Sequence, residues 1–233
     1  MGCRKKPGSA EHQLGVGEKE HAELGFGVPS ISPTILPFWH SRGYLPHFES
    51  REKMQSITFR LADSLPQSKL VELEQELARL PEDQQDLARR KQIEQWLDAG
   101  MGCCALRHSA VARVVQDTLL HFDENRYTLL AWCIMPNHVH VLICPKASLG
   151  TILQSWKSYT GRWALAHNAE LGLGISGKAF WMREYWDRYI RDKKHYEAVV
   201  DYIHNNPVKA GLCDVPEQWR WSSKNSGERN EPS

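Results

Sequence analysis

Two strongly apolar runs, Tyr127 to Ile134 and Val139 to Cys144, are separated by little more than Met135-Pro136-Asn137. Each run has the length of a strand and is rich in β-branched and aromatic residues. A link holding proline and asparagine reads as a hairpin turn. An antiparallel pair therefore sits in the middle of the chain, and the rest of the fold must be built around it.

Around the hairpin the pattern is mixed. Gln55 to Leu61 alternates and reads as a first strand, closed by Asp63-Ser64-Leu65-Pro66. Leu70, Leu73, Leu77 and Leu80, then Leu87, Ile93, Trp96 and Leu97, recur at helical spacing on either side of Pro81, which predicts an inserted helical hairpin over 67–98. Ser109 is expected to cap a helix running to about Phe122, and a further helix spans about Ser148 to His167. A short strand near 185–190 leads into a last helix that opens at Asp192 and is expected to stop before Pro207, because the residue preceding a proline is pushed out of the α region. The order β, insert, α, β, β, α, β, α predicts an α+β fold: a two-layer antiparallel sheet with helices packed on one face. Residues 1–47, rich in Gly, Pro and Ser, are expected to be a disordered leader, residues 48–223 the working domain, and 224–233 a polar tail.

Composition narrows the function classes. No stretch of the 233 residues approaches the ~18 consecutive apolar residues of a membrane span, and no secretion or lipidation signal is present, so a cytoplasmic protein is expected. Six cysteines are too few for a disulfide scaffold, and Cys103-Cys104 lacks the spacing of a zinc site. The net charge of +1 conceals an asymmetry: residues 64–99 carry five basic and eight acidic side chains, whereas 146–200 carry nine basic and five acidic. The second region also holds nine aromatics between Trp156 and Tyr196. Basic charge neutralises phosphates and aromatic faces stack on unpaired bases, so the mixture suits a single-stranded nucleic acid. Core aromatics under a solvated basic face fit the same composition. Trp156 and Trp163, seven apart on one helix, have the spacing of a buried stripe.

The chemistry-bearing residues lie on the hairpin and the last helix. His138 and His140 are two apart on a strand, so both imidazoles project to one face and can converge on one metal ion. Tyr202 and Asn206 are i and i+4 on a helix and share a face. If that face packs over the histidines, Asn206 can supply a carbonyl oxygen as third ligand while the phenol of Tyr202 reaches a phosphate. A phenol with a free pKa of ~10 needs a polarised target or a nearby base to react at neutral pH.

The runs Trp132 to Leu142, Trp156-Lys157-Ser158, Tyr189 to Asp192, Asp201 to Gly211 and Trp219-Arg-Trp-Ser-Ser223 together resemble the REP-associated tyrosine transposases, single-tyrosine relatives of the HUH (His-hydrophobe-His) endonucleases. The resemblance spans about Gln55 to Ser223. It implies a ferredoxin- or RRM-like sheet, a metal site at His138, His140 and Asn206 holding Mg²⁺ or Mn²⁺, and Tyr202 as nucleophile. It also implies single-stranded DNA carrying palindromic hairpins as the partner, a 5′-phosphotyrosine intermediate, and a monomer or homodimer that is nucleoid-associated when bound. Lys157, Arg162, Arg188, Arg191, Lys193 and Lys194 are the candidate phosphate contacts. The family's Asp-Ala-Gly-His-Gly segment is Asp98-Ala-Gly-Met-Gly102 here, with His108 the nearby imidazole. A domesticated hairpin-binding protein that no longer cuts is the competing expectation; a barrel-type metal hydrolase lacks the required alternation of parallel strands and helices.

Overall fold

In the computed structural model, residues 38–41, 46–49 and 53–226 are described, all within the unit Ile35–Ser233. The chain runs β1 (Phe38–Ser41), β2 (Pro46–Glu49), β3 (Gln55–Arg60), α1 (Gln67–Leu77), α2 (Glu82–Asp98), α3 (Ser109–His121), β4 (Tyr127–Ile134), β5 (His138–Pro145), α4 (Leu149–Ala166), α5 (Asn168–Leu171), β6 (Trp186–Tyr189), α6 (Lys193–Lys209) and α7 (Ser223–Ser226). Short 3-10 turns lie at Ala105–Arg107 and Pro216–Gln218. The α+β class, the antiparallel sheet and the helical hairpin over α1 and α2 are as expected. Strands β1 and β2 form a separate antiparallel ladder within and beside the segment expected to lack structure; most of that segment, and residues 227–233 of the expected tail, lie outside the described residues.

The main sheet has the order β4-β5-β3-β6, with antiparallel neighbours throughout. Its pleat sorts the side chains. Ile57, Phe59, Val139, Val141 and Ile143 point to one face, where α3 and α4 supply Val115, Leu119, Ile152 and Trp156. Each fully buried aliphatic side chain of this seam contributes roughly 1.5–3 kcal/mol. On the other face Ala131, Cys133 and Leu142 meet Ile203 of α6. The helices therefore do not all lie on one face: α6 adds a partial third layer. An amphipathic helix announces that it has an apolar side, but not which side of a sheet receives it.

Three local corrections follow from where the apolar and capping groups fall. His108, not Ser109, occupies the N-cap of α3, and no side chain caps that end. Helix α1 ends at Leu77, so Leu80 lies beyond it and is 39% exposed, and Leu87 on α2 is 72% exposed. Helix α6 continues through Pro207 to Lys209. Proline lacks an N–H and so removes the bond to the carbonyl four residues back. In the last turn that loss is confined to one group, and Ala210 N–H still donates to Asn206 O at 3.0 Å. The extra turn keeps Asn206 helical and on the face of Tyr202. At the other end, Asp192 caps α6 as expected, its carboxylate accepting from His195 N–H at 2.8 Å.

The Trp219–Ser223 motif closes the open edge of the sheet at β4. Trp219 Nε1 donates to Ile134 O at 3.0 Å, Ile134 N–H donates to Trp221 O at 2.8 Å, and Ser223 Oγ accepts from Trp132 N–H at 3.0 Å. Covering an edge strand in this way satisfies backbone groups that would otherwise pair with another chain.

Candidate active site

His138 and His140 open β5 on the face that α6 covers. Both are buried, at 1% and 3% exposure, and Nε2 of one lies 2.9 Å from Nε2 of the other. Each ring is held from behind. Asn137 Oδ1 accepts from His138 Nδ1 at 2.8 Å, and the Asn137 amide donates to Met101 O at 2.9 Å. Thr58 lies opposite His140 in the sheet, and its hydroxyl bonds His140 Nδ1 at 2.8 Å. The second nitrogen of each ring is thus fixed, and both Nε2 atoms are aimed at one point, as metal-ligating histidines require.

Electrostatics keep the pair neutral. Burial, and next the neighbouring His140, lower the His138 imidazolium well below its ordinary range. Burial, and next the Lys209 ammonium, bring His140 down to about 3. A neutral imidazole is the form that donates a lone pair to a cation.

Helix α6 brings Tyr202 to the pair, with the phenol ring edge-on to His140 at a centroid distance of 5.3 Å. Lys209 Nζ lies over the same ring, 4.8 Å from its centre. Burial, then the facing Glu94 carboxylate, push the Tyr202 phenol above its ordinary value, while a hydrogen bond with Asn206 acts the other way. Asn206 is fully buried; its amide donates to Tyr202 O at 3.3 Å, and its Oδ1 has no hydrogen-bond partner. A buried acceptor without a donor carries a cost of about 1–3 kcal/mol unless something else satisfies it. Among the described residues, no three His, Cys, Asp or Glu side chains gather as a metal cluster. Two imidazoles and an orphaned amide oxygen are the donor set present, and it fits a divalent cation that tolerates mixed nitrogen and oxygen ligands.

A cavity of about 300 Å³ opens beside Tyr202, lined by Ser56, Thr58, Arg188, Arg90 and Glu94 among others. Arg90 and Glu94 come from α2, so the helical insert forms one wall of the site. The insert has its own small core of Leu65, Leu73, Leu77, Ile93 and Leu97, and Arg89 grips Glu74 through two bonds of 3.0 and 2.8 Å.

The expected phosphate contacts are dispersed. Arg188 alone lines the Tyr202 cavity. Arg191 and Lys193 flank the start of α6, where Lys193 pairs with Glu197 at 3.7 Å, and Lys194 is exposed on the same turn. Arg162 lines a groove between α3 and α4 with the half-exposed Tyr159. Lys157 turns inward: Nζ donates to Arg183 O at 2.8 Å, and burial brings its ammonium down to about 8. Trp156 is core, at 1% exposure. Residues near the site that were not among the expected ones are Thr58, Asn137, Glu94, Asp98 and Lys209. Only Asn137 had a signal, its place in the turn beside the histidines. What Met101 gives the site is its main-chain carbonyl, which accepts from the Asn137 amide. His108 sits at the start of α3 with Nδ1 buried and without a partner.

A sheet carrying a His-x-His pair beneath a tyrosine-bearing helix is matched at the level of family: residues 108–206, from the start of α3 into α6, fit the family described as "Transposase IS200 like". That span includes His138, His140, Tyr202 and Asn206 and leaves out the insert. Among individual proteins, the REP-associated tyrosine transposase of Escherichia coli (strain K12) is 29% identical over 119 residues, covering 51% of this chain and 62% of that one. A relative from Haemophilus influenzae is 29% identical over 110 residues, covering 42% and 58%. The chain thus matches about three fifths of the length of these relatives. A solved structure of a REP-associated tyrosine transposase bound to a REP hairpin shares 20% identity, covers 83% of this chain and 87% of that one, and superposes with a TM-score of 0.42. The resemblance read from the motifs stands.

Proposed function

We propose that the protein is a metal-dependent endonuclease and strand transferase acting on single-stranded DNA beside palindromic hairpins. The observation that carries this reading is the convergence of two neutral imidazole Nε2 atoms, 2.9 Å apart, beneath a tyrosine ring 5.3 Å from one of them. The E. coli relative, named for its association with REP elements, supports the choice of substrate.

On this reading His138, His140 and Asn206 Oδ1 hold Mg²⁺ or Mn²⁺. The ion, when bound, supplies Lewis acidity to a non-bridging phosphate oxygen. The chain's own residues do the rest. Arg188 at the cavity wall draws in the phosphodiester. Tyr202 Oη attacks phosphorus in line with the departing 3′-oxygen, forming a 5′-phosphotyrosine link. A new 3′-hydroxyl reverses the step and rejoins the strand, so the bond energy is conserved and no external energy source is required. Asn137 and Thr58 fix the two rings, so little reorganisation is needed at the moment of reaction. No helix among the described residues is long and apolar enough to cross a membrane.

The test is incubation of the full chain with Mn²⁺ and a labelled oligonucleotide spanning a palindromic repeat and its flanks, read on a denaturing gel. A covalent protein–DNA band that needs metal and disappears in Tyr202→Phe and His138→Ala is the expected result. Hairpin-dependent binding with no band in the unmodified chain would reject the nuclease reading in favour of a domesticated binding protein.

A further inference from the structure

The helical insert lies outside the residues that match the transposase family, yet it walls a cavity of about 300 Å³ whose floor continues the sheet row that carries His140. Thr58 is the centre of that row: it pairs with His140 of β5 on one side and with Trp186 of β6 on the other. Residues paired across a sheet point to one face, so Trp186 lies two strand spacings, about 10 Å, from His140 on the face that α6 covers. The pair Ser56 and Arg188, two residues along, points the same way. From α2, Arg90 and Glu94, one turn apart on a single helix face, form a wall above this floor.

The lining calls for a ligand that both accepts and donates hydrogen bonds. The Trp186 indole N–H is buried and has no acceptor. An indole only donates, so its missing partner is an acceptor, and leaving it unpaired costs about 1–3 kcal/mol. Ser56 and the two guanidinium groups add further donors, while the Glu94 carboxylate accepts. A phosphate alone would suit the guanidinium groups and be repelled by Glu94. The volume is at the low end of the ~300–1,000 Å³ of small-molecule sites, enough for one nucleotide and too small for a duplex.

We propose that this cavity receives the unpaired nucleobase next to the scissile phosphate and that the insert reads it through Arg90 and Glu94; this rests on the nuclease reading above. With the phosphate at the histidine pair, the distance to Trp186 is the reach of one nucleotide from phosphate to base edge. An unpaired base offers its whole Watson–Crick edge. Glu94 accepts from an exocyclic amine on that edge, and Arg90 and Trp186 donate to the ring nitrogen or carbonyl beside it. Adenine, cytosine and guanine carry such an amine. Thymine carries none and would set its carbonyl oxygens against the carboxylate, so the cavity selects against thymine. The floor belongs to the sheet, but the selective pair belongs to α2, which makes the insert a specificity element.

The experiment measures the affinity of the full chain, in EDTA so that no strand is cut, for a hairpin oligonucleotide in which each flanking position in turn carries adenine, cytosine, guanine, thymine or no base. At one position the three amine-bearing bases should bind roughly tenfold or more tighter than thymine or the abasic site, the scale of a specific base contact. Arg90→Ala and Glu94→Gln should each shrink that preference to within about threefold. Both should keep the affinity of the unmodified chain for the abasic oligonucleotide, which also shows that they are folded. Equal affinity for all four bases at every position, or a preference for thymine, overturns the pocket. So does an equal loss in the variants for every oligonucleotide at an unchanged melting temperature, which would make α2 a phosphate clamp. The same oligonucleotides with Mn²⁺ separate this inference from the reading beneath it. Adducts that form at one rate whatever the flanking base overturn the pocket and keep the nuclease. A base preference in binding with no adduct from any oligonucleotide overturns the nuclease reading, and with it the place of the base beside a cleaved bond, while the insert's reading of a base stands.

Discussion

Nε2 of His138 lies 2.9 Å from Nε2 of His140, and this contact constrains the tautomers of both rings. Asn137 Oδ1 can only accept, since its amide nitrogen is spent on Met101 O, so His138 carries its proton on Nδ1 and presents a bare Nε2. Without metal, His140 must then donate from Nε2 and accept from the Thr58 hydroxyl at Nδ1. A hydroxyl can reverse its role, so His140 can move its proton to Nδ1 and present a second bare Nε2 when a cation binds. Mn²⁺ should therefore stabilise the fold. At a hundred times its Kd the gain is about 2.7 kcal/mol, which for a domain of this size is a rise in Tm of roughly 5–10 °C. Chelation should reverse the rise, and His138→Ala and His140→Ala should abolish it. An equal shift in either variant would place the ion elsewhere.

Asn137 links the Gly100–Gly102 turn to the histidine pair and is fully buried. Asn137→Ala strips the support from His138 Nδ1 and leaves Met101 O without its donor. The expected costs are a 10–100-fold loss of Mn²⁺ affinity, typical of groups that orient a ligand, and about 1–3 kcal/mol of stability. Met101→Ala keeps the carbonyl and should leave metal affinity unchanged. Gly102→Ala, by contrast, should destabilise, because its Cβ would fall 2.7 Å from Asp63 O at a φ of +85°. Isothermal titration with Mn²⁺ and urea unfolding of the three variants separate these outcomes.

How far the site was legible follows from the range of each signal. The common face of His138 and His140 is a consequence of the two-residue strand period, and that of Tyr202 and Asn206 of the helical period, so both pairs were readable locally. Their meeting was not, because it depends on α6 crossing to the face opposite α3 and α4. Thr58 reaches His140 only through the β3–β5 register, which no local pattern encodes. Glu94 sits among the polar residues of a surface helix, where a charge run reads as solvated. Lys157 shows the limit of composition: a basic residue in an aromatic, cationic stretch reads as a phosphate contact, and which partner its ammonium takes in this fold, the Arg183 carbonyl, is set by a tertiary approach that no local pattern encodes.

Trp156 is buried behind the sheet, and its Nε1 donates to Tyr127 Oη at 2.9 Å, while that hydroxyl donates to Leu119 O at 2.5 Å. The chain of bonds ties α4 to β4 and α3 across the apolar layer. Tyr127→Phe keeps the ring but leaves an indole N–H and a carbonyl buried and unpaired, which should cost about 1–3 kcal/mol in urea unfolding. Because this layer is on the face away from the histidines, Mn²⁺ affinity should be unchanged. A change in affinity without a change in stability would contradict the assignment of Trp156 to the core.

Asp98 ends α2 close to Glu94, and burial, reinforced by the Glu94 charge, raises its carboxyl from 3.8 to about 6. The sign of the linkage is set by which state holds the proton. Between those two values the folded chain binds more protons at Asp98 than the unfolded chain, so stability falls as pH rises from 3.8 to about 6 and is level above it. Asp98→Asn removes the ionisation while keeping the size of the side chain. The variant should match the unmodified protein at pH 4 and exceed it at pH 7.5. With solvent screening at this half-buried carboxyl, the gain should be of the order of 1 kcal/mol. Urea midpoints at the two pH values measure it; an equal gain at both would assign the effect to packing, and a loss at pH 7.5 would mean that the ionised carboxylate is held by Lys209 more strongly than burial penalises it.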